Sequence, residues 1–240
     1  MALITGAAKR VGAAIAEHLH ADGFQIAIHH HTSIDEAHQL EADLNRKRPN
    51  SAFAIKQDLA EKNAASKLIK MVVNKTNQIS LLVNNASIFS ETPLKQRKNI
   101  EDLWDLLHTI NVRIPYFLSL EAIPFLRESQ GCIVNITDIH SEKPRKDYSA
   151  YCASKAALVA VSNSLALDLA PDIRVNCVAP GAILWAATEN RTVQDETIES
   201  TPLARIGKPF DIAQAVSYLT KAKYVTGHVL NVDGGRTLNT

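Results

Sequence analysis

Short apolar runs rich in Ile and Val recur along the chain at 2–5, 25–29, 52–56, 80–84, 132–137, 174–178 and 229–232, with amphipathic stretches between them. In the first stretch Val11, Ile15 and Leu19 fall four residues apart while Arg10, Glu17 and His20 fall elsewhere, the pattern of a helix lying on a sheet. The same reading fits 35–46, 60–74, 101–128, 149–169 and 209–220. Strands alternating with helices, with few tight hairpin signals, predict an α/β fold: a Rossmann-type, doubly wound sheet of about seven mainly parallel strands with helices on both faces. At 240 residues and 46% hydrophobic the chain can close one large core, so one domain over 1–240 is expected. Such sheets bind ligands at the carboxyl ends of their strands, where strand order reverses.

Charge and cysteine content exclude several classes. Lys plus Arg number 26 against 25 Asp plus Glu, which leaves no electrostatic case for a nucleic-acid or anionic-membrane partner. Met-Ala-Leu-Ile-Thr-Gly enters a strand without a basic or apolar signal segment, and no apolar run approaches the roughly 20 residues of a membrane span. The expectation is a cytoplasmic protein. Cys132, Cys152 and Cys177 are odd in number and widely spaced, which suggests reduced thiols and neither a disulfide frame nor a metal site.

Two stretches break the alternation. Residues 87–98 carry Pro93 directly after a strand, and 182–208 follow Pro180-Gly181 with Trp185 and Pro202. Each lies at a carboxyl strand end, where a substrate lid would sit, the plainer reading being a surface loop.

Thr5-Gly-Ala-Ala-Lys-Arg-Val-Gly12 follows the first strand and opens the first helix, where glycines and unpaired N–H groups can cradle a pyrophosphate. An acid roughly 20 residues past this loop would hold a ribose 2'-hydroxyl and repel a 2'-phosphate. None is present: Ile28-His-His-His-Thr-Ser33 offers hydrogen-bonding and partly cationic groups, with His31 and Ser33 best placed for a phosphate and Arg10 beside them. This favours NADPH. For His29 and His30 the reading that they merely end a strand in solvent stands equally open.

Tyr151 and Lys155, four apart in a helical stretch, share one helix face and can point into one pocket. A cation beside a phenol is expected to lower its pKa and make it a usable proton donor. Asp138 stands thirteen residues before the tyrosine.

With these motifs in order, the chain resembles the short-chain dehydrogenase/reductase family over essentially its whole length, including Asn111, Pro180-Gly181 and Asp233-Gly-Gly235. The family's loop usually has a third glycine where Arg10 stands. Thr-Gly-Ala-Ala-Lys-Arg-x-Gly is similar to the loop of the pteridine reductases, in which the arginine meets both the cofactor phosphates and the pterin. The resemblance implies cofactor contacts at Gly6, Arg10, Val11 and Gly12, at Asp58 and Leu59 for the adenine, at Asn85, Ala86 and Ser87, and at Pro180 and Gly181. It implies that Asn111 anchors a water and lysine chain, that Lys155 binds the nicotinamide ribose, and that Tyr151 delivers the proton. Phe89 matches the aromatic that sandwiches the pterin against the nicotinamide, with Ser87 offering a hydroxyl to its polar edge.

Asp138 occupies the family's serine position. A serine would donate to a carbonyl oxygen becoming an alkoxide, whereas an ionised carboxylate would repel that charge. Reduction of a C=N bond needs a proton at nitrogen, which an acid relaying through Tyr151 can supply. The leading expectation is an NADPH-dependent reductase of a small pterin-like substrate, a dihydropterin including dihydrofolate or dihydromonapterin, with Arg10, Ser87, Phe89, Asp138 and Tyr151 around it. A 3-oxoacyl thioester or other carbonyl reductase of the same family is the alternative. A dinucleotide-sensing protein without turnover is a third, against which intact Asn111, Tyr151 and Lys155 weigh. The resemblance also implies a homotetramer, paired through the helices of 101–128 and 149–169.

Overall fold

The computed structural model describes residues 1–92, 99–185 and 190–239. Seven strands, β1 (Ala2–Ile4), β2 (Ile26–His30), β3 (Ala52–Lys56), β4 (Leu81–Asn84), β5 (Cys132–Ile136), β6 (Arg174–Pro180) and β7 (Val229–Val232), form one sheet in the order β3-β2-β1-β4-β5-β6-β7. Every neighbouring pair is parallel. The eight α-helices among the described residues are α1 (Arg10–Ala21), α2 (Ile34–Lys47), α3 (Ala64–Thr76), α4 (Ile100–His108), α5 (Ile114–Glu128), α6 (Ser149–Leu169), α7 (Arg191–Glu199) and α8 (Pro209–Lys221).

Side-chain alternation along the strands divides the core into two layers. Ala2, Ile4, Ile26, Ile28, Leu81, Val83 and Val134 face α1, α2 and α8 through Ile15, Leu19, Leu40, Leu44, Ile212 and Val216. Leu3, Ala27, Leu82, Ile133 and Val175 face α3, α5 and α6 through Leu68, Val72, Leu118, Leu126 and Leu165. A sheet buried on both faces explains why its strands read as nearly continuous apolar runs.

Three elements differ from the sequence reading. The single helix expected over 101–128 is α4 and α5 joined by a π-helical turn, Thr109–Arg113, in which Ile114 N–H bonds to Thr109 carbonyl. Pro115 explains the irregularity, because without an N–H it cannot give the Asn111 carbonyl its α-helical partner. Within 182–208, expected to be irregular throughout, α7 forms behind Asn190, whose side chain accepts the Val193 N–H at 3.0 Å. Residues 93–98, with Pro93, and 186–189 lie outside the described residues. Finally, α6 is long and apolar enough by length and composition to cross a membrane, which corrects the reading that no apolar run is so long; half of that stretch is buried inside the protein.

Arg174, the first residue of β6, fastens that strand to α8. One terminal nitrogen donates to the carbonyls of Leu219 at 2.8 Å and Ala222 at 3.0 Å, and the other to Thr220 at 2.9 Å, satisfying carbonyls the helix end leaves open. Replacing Arg174 with Met keeps the aliphatic stem and removes these donors. It should cost about 2 kcal/mol, read as a lower urea midpoint with an unchanged slope; an unmoved midpoint would refute the clamp.

Candidate active site

Strand order reverses between β1 and β4, and the two loops leaving their carboxyl ends meet there. Thr5 Oγ1 accepts the N–H groups of Asn85 and Ala86, each at 3.0 Å. The Asn85 amide donates back to the carbonyls of Thr5 at 2.9 Å and Gly6 at 3.1 Å. Close backbone approach requires the glycines: a Cβ on Gly12 would lie 2.2 Å from the Gly6 carbonyl oxygen, and Gly6 itself has φ +62°. Helix α1 opens at Arg10 with no side-chain cap, so its first-turn N–H groups face the crevice for an anion. Arg10 is exposed and has φ +54°, the left-handed region that glycine fills readily. This donor set fits a dinucleotide pyrophosphate.

At the end of β2 the two neighbouring predictions separate. His31 is exposed, with Nε2 3.7 Å from Asp58 Oδ2, and Ser33 takes the N-cap position of α2 without using its side chain there. Asp58 also accepts the Ala60 N–H at 2.8 Å, and Leu59 is buried behind it. His29 and His30 are both buried, so neither ends its strand in solvent. Burial pushes the His29 imidazole down to about 4, which keeps it neutral. At the end of β6, a Cβ on Gly181 would lie 2.7 Å from Asp233 Cα, so the strand exit there passes tightly against β7.

Asp138, Tyr151 and Lys155 come together on the other side of the crevice. Asp138 leaves β5 and caps a short 3-10 turn, Ile139–Ser141, through Oδ1, which accepts the His140 N–H at 2.8 Å. Its Oδ2 accepts the Tyr151 hydroxyl at 2.7 Å. Lys155 is 2% exposed, and its Nζ donates to the Ile136 carbonyl at 2.9 Å. The expectation that Lys155 depresses the phenol pKa is corrected. Burial first, then the charge and hydrogen bond of Asp138, hold the Tyr151 phenol well above its ordinary range. Nζ lies 5.8 Å from the Tyr151 ring centre, and burial pulls Lys155 itself down to about 8, against the opposing pull of Asp138 and Cys177.

Asn111 sits in the π turn with its side chain fully committed. Its Oδ1 accepts from the Ile88 N–H at 2.9 Å and the Ser87 hydroxyl at 3.1 Å, while Nδ2 donates to the Ile88 carbonyl and to Ser154 Oγ, each at 3.0 Å. Asn111 therefore ties the loop after β4 to helix α6. Ser87 spends its proton on Asn111 and keeps lone pairs to accept.

Phe89 is 42% exposed. It stacks on Tyr148 at 4.6 Å between centroids and meets Tyr151 edge-on at 4.8 Å. Arg145 lies 4.6 Å from the Tyr148 ring centre, and the Tyr148 hydroxyl donates to Glu91 Oε1 at 3.2 Å. Sequence reasoning missed Ser154, Arg145 and Tyr148. The helical spacing of Tyr148 and Tyr151, three apart, was the one signal available for the last of these. Trp185 is half-buried.

A family model described as enoyl-(acyl carrier protein) reductase matches residues 6–237. The chain is 33% identical over 240 residues to 3-oxoacyl-(acyl-carrier-protein) reductase FabG of Staphylococcus epidermidis, covering 98% of this chain and 97% of the relative. It is 34% identical over 278 aligned positions to pteridine reductase 1 of Leishmania tarentolae, covering 99% and 96% respectively.

Arg10→Gly separates backbone strain from ligand contact. Removing a left-handed non-glycine residue gains on the order of 1 kcal/mol, which the added chain entropy of glycine largely offsets. The melting temperature should stay within a few degrees while dinucleotide affinity falls; unchanged affinity by titration calorimetry would remove Arg10 from the site.

Proposed function

The chain belongs to the short-chain dehydrogenase/reductase family, and from that premise we propose that it is an NADPH-dependent oxidoreductase that reduces a C=N bond of a dihydropterin. The observation that carries this reading is the 2.7 Å hydrogen bond between Tyr151 and Asp138. It puts a carboxyl group where an alkoxide formed from a carbonyl would be repelled and where a ring nitrogen would be given a proton.

Each residue has a part. The first turn of α1 with Arg10 holds the pyrophosphate, and His31 and Ser33 take the 2'-phosphate, since no acid stands at the end of β2 to exclude it. Asn85, Ala86, Pro180 and Gly181 line the nicotinamide half, and Asp58 the adenine half. A bound NADPH supplies the hydride. Phe89, part-exposed and supported by Tyr148, is the aromatic surface for a flat ring. Ser87, an acceptor here, suits the amino edge of a pterin. Tyr151 and Asp138 share the proton delivered to nitrogen, and Lys155 orients the ribose and keeps a positive charge beneath the pair.

A second reading has its own support, because 3-oxoacyl-(acyl-carrier-protein) reductase FabG is as similar to the chain as pteridine reductase 1. Asp138→Ser distinguishes the two. In a pterin reductase it should slow turnover of dihydrobiopterin by about 10²-fold, the usual worth of a placed acid; in a carbonyl reductase it should speed reduction of an acetoacetyl thioester, and that outcome would sink the pterin reading. Exposed Tyr116, Phe117 and Leu167 on α5 and α6 support the further proposal of a homotetramer.

The pH profile follows from Lys155. Its ammonium is charged below about 8 and neutral above, whereas the Tyr151 phenol stays protonated throughout. Turnover at saturating NADPH should therefore fall as pH rises through about 8. A rate that stays flat beyond pH 9 would mean that the charge on Lys155 has no part in the rate.

A further inference from the structure

His29 lies on β2, one residue before the strand ends, and is 2% exposed. Both ring nitrogens are engaged. Nδ1 is 3.0 Å from the backbone nitrogen of Gly6, and Nε2 is 3.0 Å from the carbonyl oxygen of Gln57. A backbone N–H can only donate and a carbonyl can only accept, so one tautomer satisfies both contacts: Nδ1 bare and Nε2 carrying the proton. The main chain of His29 adds a third tie, its carbonyl accepting the Ala7 N–H at 2.9 Å.

These contacts bind two halves of one crevice. Gly6 is the first glycine of the loop after β1 and sits at φ +62°. Gln57 follows β3 and is itself buried, its side-chain amide donating to the Asp58 carbonyl at 2.9 Å and to Glu61 at 3.1 Å. The Gly6 carbonyl is held by Asn85, while its N–H is held, among the described residues, by His29.

We infer that His29 is a positioning residue for nucleotide binding, fixing the left-handed Gly6 through its N–H and joining the pyrophosphate loop to the Gln57-Asp58 turn beside the adenine. It touches neither substrate nor cofactor; it acts through Gly6. The inference rests on the dinucleotide reading of the crevice.

Two substitutions separate its two bonds. In His29→Asn the side-chain oxygen takes the place of Nδ1 and keeps an acceptor for Gly6, giving up Gln57. In His29→Gln the amide nitrogen takes the place of Nε2 and keeps a donor for Gln57, giving up Gly6. Each purified variant is titrated with NADPH, with melting temperature and kcat at saturating NADPH measured alongside. Loss of a buried N–H partner predicts NADPH binding about tenfold weaker in the Gln variant. The Asn variant should stay within about threefold of wild type, with similar melting temperatures and kcat in both. Equal affinities in the two variants, or loss of folding in both, would overturn the role. Wild-type protein that binds neither NADPH nor NADH would overturn the cofactor reading, and this inference with it. A wild type that binds NADPH while the Gln variant binds it equally well overturns the inference alone.

Discussion

Strand β1 is flanked by β2 on one side and β4 on the other, and the chain leaves the first crossover on one face of the sheet and the third on the opposite face. Nearly every functional contact depends on that reversal. It parts the helices at the carboxyl ends of β1 and β4 and leaves a crevice that neither layer fills. Thr5 and Asn85 stitch its two lips together through hydrogen bonds between residues some eighty positions apart. The parallel register carries the same geometry outward, so the ends of β2, β5 and β6 deliver His31, Asp138 and Pro180 to one rim.

Below that rim the electrostatics are set by burial. Among the described residues Lys155 is the largest fully buried side chain, and it carries a group that water would otherwise hold charged, so its pKa falls. Tyr151 is buried beside a carboxyl group, and its pKa rises for the same cause with opposite sign. The arrangement keeps the phenol protonated, its proton held by the Asp138 carboxylate, and leaves the ammonium close to losing its charge. Asn111 ties the loop after β4 to α6 across a π turn that Pro115 explains.

The fold was legible because each strand is a short apolar run and each helix an amphipathic one; all seven strands lie within two residues of where the alternation puts them. The π turn was not, because Ile110, Ile114 and Leu118 keep a helical period straight through it, and only the missing N–H of Pro115 interrupts the ladder. The meeting of Asp138 with Tyr151 followed from motif order, yet the direction of the phenol's pKa did not, since it turns on burial and on a 5.8 Å separation that spacing cannot convey. His29, on β2, and His31, just past its end, have the same side chain, but one is buried and the other exposed; which of them α2 and the loop after β1 cover is a tertiary fact.

The central claim is that a carboxyl group paired with Tyr151 selects a C=N bond over a carbonyl. The most direct measurement is the initial rate of NADPH oxidation by the wild-type protein with dihydrobiopterin, run in parallel with an acetoacetyl thioester at the same enzyme concentration. Turnover of the pterin with little or none of the thioester is the predicted result. Turnover of the thioester alone would contradict the account and leave Asp138 as a tolerated substitution in a carbonyl reductase.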